Sequence, residues 1–182
     1  MLYWIDSEFD ERGGGHPIIP ISIGIVAEDG RELYLVSSEF DESAVNDFVR
    51  ENVLPELGDE PRITLAEMKD RVLEFLGGDD DPQFWAYFGA YDWVVFAQLF
   101  GTMADMPDFL PWFCNDLATL AGLVGATKDD LPPDPEEGEH NALVDAQWDR
   151  DCYAVLMAMA EGDDDDEPPE DESPATGTDG EA

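Results

Sequence analysis

The hydrophobic pattern of the chain changes character near residue 40. Before it, apolar residues come in short runs rich in Val, Ile and aromatic side chains, at residues 2–5 (Leu2-Tyr3-Trp4-Ile5), 18–27 and 32–38. Runs of this length and composition predict strands. Asp29-Gly30, between the second and third runs, is a hairpin signal. The chain is therefore expected to open as a three-stranded antiparallel meander, with residues 11–17 and their Gly13-Gly14-Gly15 as the first loop. After residue 40 the spacing becomes helical. Residues 43–54 place Val45, Phe48, Val49 and Val53 on one side behind a capping-type Ser43. Residues 65–76 do the same with Met68, Val72, Phe75 and Leu76, and Thr64 with Glu67 forms a capping box. Gly77-Gly78 and Asp79–Asp81 stop that helix. Residues 84–88 read as a short aromatic strand, 92–100 as a helix, 109–115 as a further strand and 117–125 as a helix. Residues 129–139, with four Pro or Gly and six acids, predict a loop. The last helix is expected over 141–160, with Leu143, Val144, Trp148, Cys152, Val155, Leu156 and Met159 available to the core. The order is that of an α/β fold, a mixed sheet flanked by helices.

A length of 182 residues suits one domain with a proper core. No run of eighteen apolar residues is present, so no membrane partner is expected. The opening residues lack the basic region and apolar stretch of a signal peptide. Cys114 and Cys152 sit among apolar neighbours and read as buried free thiols. A cytoplasmic protein is expected.

Charge changes this picture most. Forty-five acids face eight bases, a net charge of −37. Ten of the acids follow Gly162 and all eight bases precede it, so residues 1–162 carry 35 acids against eight bases. Such self-repulsion opposes a compact state unless salt screens it, and at molar salt the Debye length falls to roughly 3 Å. The composition points to a high-salt cytoplasm. A nucleic-acid mimic, whose carboxylates imitate phosphates, is the alternative. Residues 163–182 have no periodicity and a composition unable to bury enough surface to offset chain entropy. They are expected to be a disordered acidic tail beyond a domain at 1–162.

Among so many acids only context distinguishes one carboxylate from another. Asp6 and Glu8 follow the first strand run and, two apart in extended chain, point to one face. Like charges that close need a cation between them; otherwise they form an ordinary solvated turn. Asp92 interrupts the aromatic stretch around Tyr87, Phe88, Tyr91 and Trp93, where a ligand or a helix N-cap are both open readings. Asp145 lies early in the last helix, and His140 stands just before it. Histidine is suited to general-base work near neutral pH, and only His16, in the glycine loop and without an expected role, shares the type. Hard oxygen ligands of this kind suit Mg²⁺ or Mn²⁺, and two such ions roughly 3.5–4 Å apart are the clamp used for phosphodiester hydrolysis. Zinc-ligand spacing, a phosphate-binding glycine loop and a Gly-x-Ser-x-Gly elbow are all missing from the sequence.

The ordered set Asp6-x-Glu8, Tyr91-Asp92 and His140-x-Ala142-x-x-Asp145 resembles the DEDDh 3′-5′ exonuclease signature of the ribonuclease H-like superfamily. Asp6-Ser7-Glu8-Phe9, Ile21-Ser22-Ile23-Gly24-Ile25-Val26-Ala27-Glu28-Asp29-Gly30-Arg31-Glu32, Gly89-Ala90-Tyr91-Asp92 and His140-Asn141-Ala142-Leu143-Val144-Asp145-Ala146 extend the likeness to the small mycobacterial-type 3′-5′ exoribonucleases. The likeness covers roughly residues 1–158. It implies a ribonuclease H-like fold with a five-stranded mixed sheet of order 3-2-1-4-5. It further implies two Mg²⁺ ions, with Mn²⁺ as substitute, release of mononucleotides from RNA or single-stranded 3′ ends, and a homodimer. By the same resemblance Asp6 would bridge both ions, Glu8 and Asp145 would complete one shell, Asp92 would help hold the second ion, and His140 would deprotonate the attacking water. Ser7, Phe9 and Tyr91 would lie against substrate. A DNA-directed repair or proofreading exonuclease shares these motifs, and a non-catalytic acidic binder remains the reading from another class. One departure stands out: nucleic-acid enzymes usually offer basic surface to phosphate, and here only Arg12 follows the first motif closely.

Overall fold

The computed structural model describes residues 1–162; the expected acidic tail at 163–182 lies outside the described residues. The chain builds β1 (Leu2–Asp10), β2 (Ile19–Ala27), β3 (Glu32–Ser37), β4 (Arg62–Ile63), α1 (Leu65–Leu76), β5 (Gln83–Ala86), α2 (Ala90–Gln98), β6 (Asn115–Asp116), α3 (Leu117–Leu123) and α4 (Ala142–Gly162). One sheet takes the order β4-β3-β2-β1-β5-β6, with β1–β2 and β2–β3 antiparallel and the other pairs parallel. The fold is α/β and ribonuclease H-like, with one correction. The sheet has six strands rather than five, because the two-residue β4 adds to the outer edge of β3. Without it the expected 3-2-1-4-5 order stands, with β5 and β6 as its last two members.

Helices cover both faces of the sheet. On one side Tyr3, Ile5, Ile23, Ile25, Ala27 and Leu35 pack against Met68, Val72 and Leu76 of α1 and Trp93, Val95 and Phe96 of α2. On the other, Trp4 and Val26 meet Ala146 of α4, while Cys152 and Leu156 carry α4 onto α3. Alternation along β1 thus sends Tyr3 and Ile5 to α1 and α2, and Trp4 to α4. Among the described residues no helix is long and apolar enough to cross a membrane. Both cysteines are free thiols, Cys152 buried and Cys114 partly so.

Local chemistry explains where expected and observed elements differ. The Thr64/Glu67 capping box forms as expected and Gly77 ends α1 in a left-handed turn. The helix expected from Ser43 does not start there: Ser43 donates to Asp41 in a turn, and Asn46 Oδ1 accepts from Val49 N–H at 2.9 Å instead. The helical segment beyond Asn46 is irregular, a π-helical turn over Val49–Val53 running into a 3₁₀ turn at Leu54–Leu57. The strand expected over 109–115 shrinks to Asn115–Asp116. Asp92 is not an N-cap: Gly89 holds that position and Asp92 lies inside α2.

One close approach sets the position of α4. Gly24 of β2 pairs with Asp6 of β1, and a Cβ at Gly24 would stand 2.1 Å from the Ala142 carbonyl oxygen. Only a glycine lets the N-terminus of α4 touch the sheet beside Asp6. Gly24→Ala is therefore expected to lift that terminus, to destabilise the fold by about 1–3 kcal/mol or more, and to lower activity with it. Denaturant unfolding checks this; a wild-type midpoint with wild-type activity would show that the contact does not place α4.

Candidate active site

β1 runs through the first motif rather than ending before it, and the ladder with β2 breaks between Glu8 and Phe9. Such a bulge re-aims side chains, and Pro20 opposite Phe9 has no N–H to give to the ladder. Phe9 then stacks on Tyr91 with centroids 5.6 Å apart and planes 11° from parallel.

On its other edge, β1 pairs with β5 only from Leu2 to Trp4. That leaves Ser7 N–H without a strand partner, and Asp92 Oδ1 accepts from it at 2.9 Å and from Ser7 Oγ at 2.7 Å. Ser7, expected against substrate, is 5% exposed and commits both polar groups to holding Asp92. Asp92 is equally buried.

α4 brings the third motif. Asn141 caps it, Oδ1 accepting from Leu143 N–H at 3.1 Å, while its amide donates to the Glu56 carbonyl at 2.8 Å and ties the cap to the irregular helical segment. His140, just before the cap, has φ 70°. Its backbone N–H donates to Asp145 Oδ2 at 2.9 Å, and its Nδ1 lies 3.8 Å from Glu8 Oε1. One donor atom each of Glu8, His140 and Asp145 lies within 4.8 Å of the others. Asp6 Oδ2 is shielded from solvent and has no hydrogen-bond partner.

Two cavities flank this cluster. One, of about 370 Å³, is lined by Glu8, Phe9, Tyr91, Phe48, Val49 and Val53 among others. The other, of about 410 Å³, is lined by Asp6, Phe88, His140, Asp145, Trp148 and Asp149 among others. Both fall in the size range of small-ligand pockets, roughly 300–1,000 Å³. Phe88, with φ 58°, and His140 are the two non-glycine residues at positive φ among the described residues, and both line the second cavity. Strain of this kind collects at functional sites.

The structure thus brings Glu8, His140 and Asp145 within ligand distance of one another, puts Asp6 in the cavity of His140 and Asp145, ties Asp92 to Ser7 between Asp6 and Glu8, and sets Phe9 with Tyr91 in the cavity beside Glu8. Sequence reasoning did not single out Phe48, Val49 and Val53 as cavity walls, nor Phe88, nor Asp149, a carboxylate 2% exposed on the inner face of α4. Asp149 follows Asp145 by four residues, a helical spacing that sets the two on one face.

Burial raises every carboxyl in the cluster. Glu8 is pushed up to about 8 by burial, with the charges of Asp145 and Asp92 adding. Burial takes Asp92 up to about 6 against the Ser7 hydrogen bonds, and Asp145 up to about 6 against the His140 N–H. Asp6 rises well above the usual range, by burial first and then by the charges of Asp92, Glu8, Asp149 and Asp145. An orphaned carboxylate oxygen among like charges, in an all-hard donor set, fits divalent cations of the Mg²⁺ type.

Raised folded-state values mean that the metal-free folded chain binds more protons than the unfolded chain between about pH 4 and 8, so its stability falls as pH rises through that window. In EDTA the melting temperature is expected to drop from pH 5 to 8, and millimolar Mg²⁺ should remove most of the drop. A metal-free melting temperature that holds level or climbs over the same range would contradict the cluster's electrostatics.

Each of the eight bases lies within 4.0 Å of an acid, most of them in exposed pairs, so the acids outweigh the few bases on the surface. Arg12, the base nearest the first motif in sequence, is held at 2.7 Å by Asp10, itself 1% exposed.

Comparison with known proteins decides the family. Residues 1–157 match the family described as 3′-5′ exoribonuclease Rv2179c-like domain. The chain belongs to this family. Its similar relatives include two Mycobacterium tuberculosis proteins named 3′-5′ exoribonuclease Rv2179c (strain H37Rv) and 3′-5′ exoribonuclease MT2234.1 (strain CDC 1551). Each is 42% identical over 153 residues, covering 81% of this chain and 88% of the relative. Membership in the Rv2179c-like family makes the chain an exoribonuclease in class, and the match contains Asp6, Glu8, Asp92, His140 and Asp145.

Proposed function

We propose that the site releases nucleoside 5′-monophosphates from RNA 3′ ends using two divalent cations, Mg²⁺ in the cell and Mn²⁺ as a substitute. The observation that supports this reading is the closeness of Glu8, His140 and Asp145, one donor atom of each within 4.8 Å of the others, with the unpartnered Asp6 Oδ2 in the cavity shared by His140 and Asp145 and with Asp92 hydrogen-bonded to Ser7 between Asp6 and Glu8. Bound there, such ions supply a Lewis-acid clamp on the attacking and leaving oxygens and an acidified water. The chain does the rest. Asp6 would hold both ions, Glu8 and Asp145 would hold one of them, and Asp92, oriented by Ser7, would help hold the other. His140 receives the proton of the attacking water at its ring nitrogen. The stacked Phe9 and Tyr91, with Phe48 across the cavity, receive the terminal base; stacking of this kind contributes about 1–3 kcal/mol per base without sequence preference. We further propose a homodimer, a high-salt cytoplasm, and an exonuclease domain at residues 1–162 with the acidic segment outside it.

End-labelled single-stranded RNA and matching DNA, incubated with Mg²⁺, Mn²⁺ or EDTA, test the reading. Stepwise shortening of RNA from the 3′ end, stopped by EDTA, is expected. Preferential shortening of DNA would make this a DNA-directed enzyme, and no shortening by folded protein would leave only a binder.

Salt gives a separate prediction. With eight bases against 45 acids, binding owes little to counterion release, and activity is expected to hold or rise up to molar salt. Activity lost above ordinary physiological salt, while circular dichroism shows a folded chain, would contradict it.

A further inference from the structure

Beside Asp6, whose Oδ2 is shielded, three acids are buried as whole residues among the described residues: Asp10, Asp92 and Asp149. Asp10 has Arg12, and Asp92 has two donors from Ser7. Asp149 is 2% exposed and has no base; its one partner is the Tyr87 backbone N–H, 3.0 Å from Oδ2. A carboxylate offers about four acceptor sites, and a single neutral N–H does not compensate the burial of its charge. An asparagine of the same shape would take that N–H with no charge to bury, so the charge itself needs a reason. Its location supplies one. Asp149 lies one helical turn beyond Asp145 and lines the same cavity as Asp6, His140 and Asp145. The solvent-shielded carboxylate oxygen without a partner there is Asp6 Oδ2. The N–H that Asp149 holds belongs to the residue just before Phe88, which lines that cavity with its backbone in the left-handed region.

We propose that Asp149 is a positioning residue of the hydrolytic site, whose negative charge behind Asp6 strengthens the hold on divalent cations while its hydrogen bond to Tyr87 anchors the turn at Phe88. The inference rests on the two-cation reading above. Asp149 touches neither the scissile phosphate nor the attacking water; it acts through Asp6 and through the β5–α2 turn. In the metal-free protein its charge is a burden, first because the group is buried and then because Asp92, Asp145 and Asp116 repel it, and its carboxyl is held well above the usual range. With cations bound the same charge becomes favourable.

Asp149→Asn separates charge from hydrogen bond, because the amide oxygen still accepts from Tyr87. The full-length variant and wild type are melted in EDTA, and Mn²⁺ alone is titrated into each by calorimetry. The variant is expected to melt at or above the wild-type temperature in EDTA. It should bind Mn²⁺ more weakly by about tenfold or more, since a full negative charge leaves the surroundings of a divalent cation. Turnover should return toward wild type in excess Mn²⁺. Wild-type Mn²⁺ affinity in the variant, or a lower melting temperature in EDTA with unchanged affinity, would overturn the proposal and leave Asp149 a structural acceptor. Should the asparagine variant not fold, Asp149→Ala, which leaves room for water at the Tyr87 N–H, must show the same weakening. A wild-type chain that takes up no Mn²⁺ would instead remove the two-cation reading itself.

Discussion

His140→Ala is expected to lower turnover on single-stranded RNA by about 10²–10⁴-fold, the usual contribution of a positioned proton acceptor, with metal binding and stability near those of wild type. The separation follows from which atoms do what. Asp145 is oriented by the backbone N–H of His140, at 2.9 Å from Oδ2, and an alanine keeps that donor. The ring lies 3.8 Å from Glu8 and packs edge-on against Phe48 with centroids 5.1 Å apart, so its removal strips no hydrogen bond from the acids. Histidine is enriched at positive φ and alanine is not, so the variant is expected to lose a little stability at φ 70° without a change of fold. Single-turnover rates at saturating Mg²⁺, with Mn²⁺ titrations beside them, measure both quantities. A wild-type rate would exclude His140 as the base. A rate lost together with Mn²⁺ affinity would move its imidazole into the ligand set, as its closeness to Glu8 and Asp145 would allow.

Asp6→Asn should have the largest effect on the metal. Asp6 Oδ2 is buried without a partner, and the neighbouring charges of Asp92, Glu8, Asp149 and Asp145 all oppose its ionisation. An amide of equal shape removes one of those charges. The metal-free variant is therefore expected to melt above wild type, while Mn²⁺ affinity falls steeply. Turnover should drop by more than about a thousandfold, since the several kcal/mol supplied by the Lewis-acid clamp go with the ions. The pairing of higher metal-free stability with lost metal response is the signature sought. An unchanged Mn²⁺ titration would refute the bridging role of Asp6.

Much of this architecture is legible in the amino-acid pattern, and the exceptions have physical causes. The meander, the α1 capping box and the order of the long strands follow from alternation and turn chemistry, which are local signals. The first strand is longer than its apolar run because its second half carries the site: Asp6, Ser7 and Glu8 interrupt the pattern that marks a strand, yet β1 continues through them to Asp10. The two-residue β4 and β6 are too short to leave a periodic trace. The start of the irregular helix is decided by Asn46, whose capping role depends on the competing turn at Asp41 and Ser43.

The site divides the same way. Its four signature acids and His140 stand out because their neighbours are apolar or because their type is rare. Asp149 has no such mark among 45 acids, and the helix spacing from Asp145 is the one clue. The expected core of α4 also shifts by a small rotation. Cys152 and Leu156 are buried as expected, but Ala142, Ala146 and Asp149 complete the inner stripe, whereas Leu143, Val144 and Trp148 stay half-buried. Gly24 explains this in part, since close contact at Ala142 demands small residues where the helix meets the sheet.

Anomalous scattering from crystals grown with Mn²⁺ would locate the cations themselves. Two peaks roughly 3.5–4 Å apart, bracketed by the side chains of Asp6, Glu8, Asp92 and Asp145 with the His140 ring alongside, are the expected result. Peaks elsewhere on this acidic surface, with none touching Asp6, would contradict it.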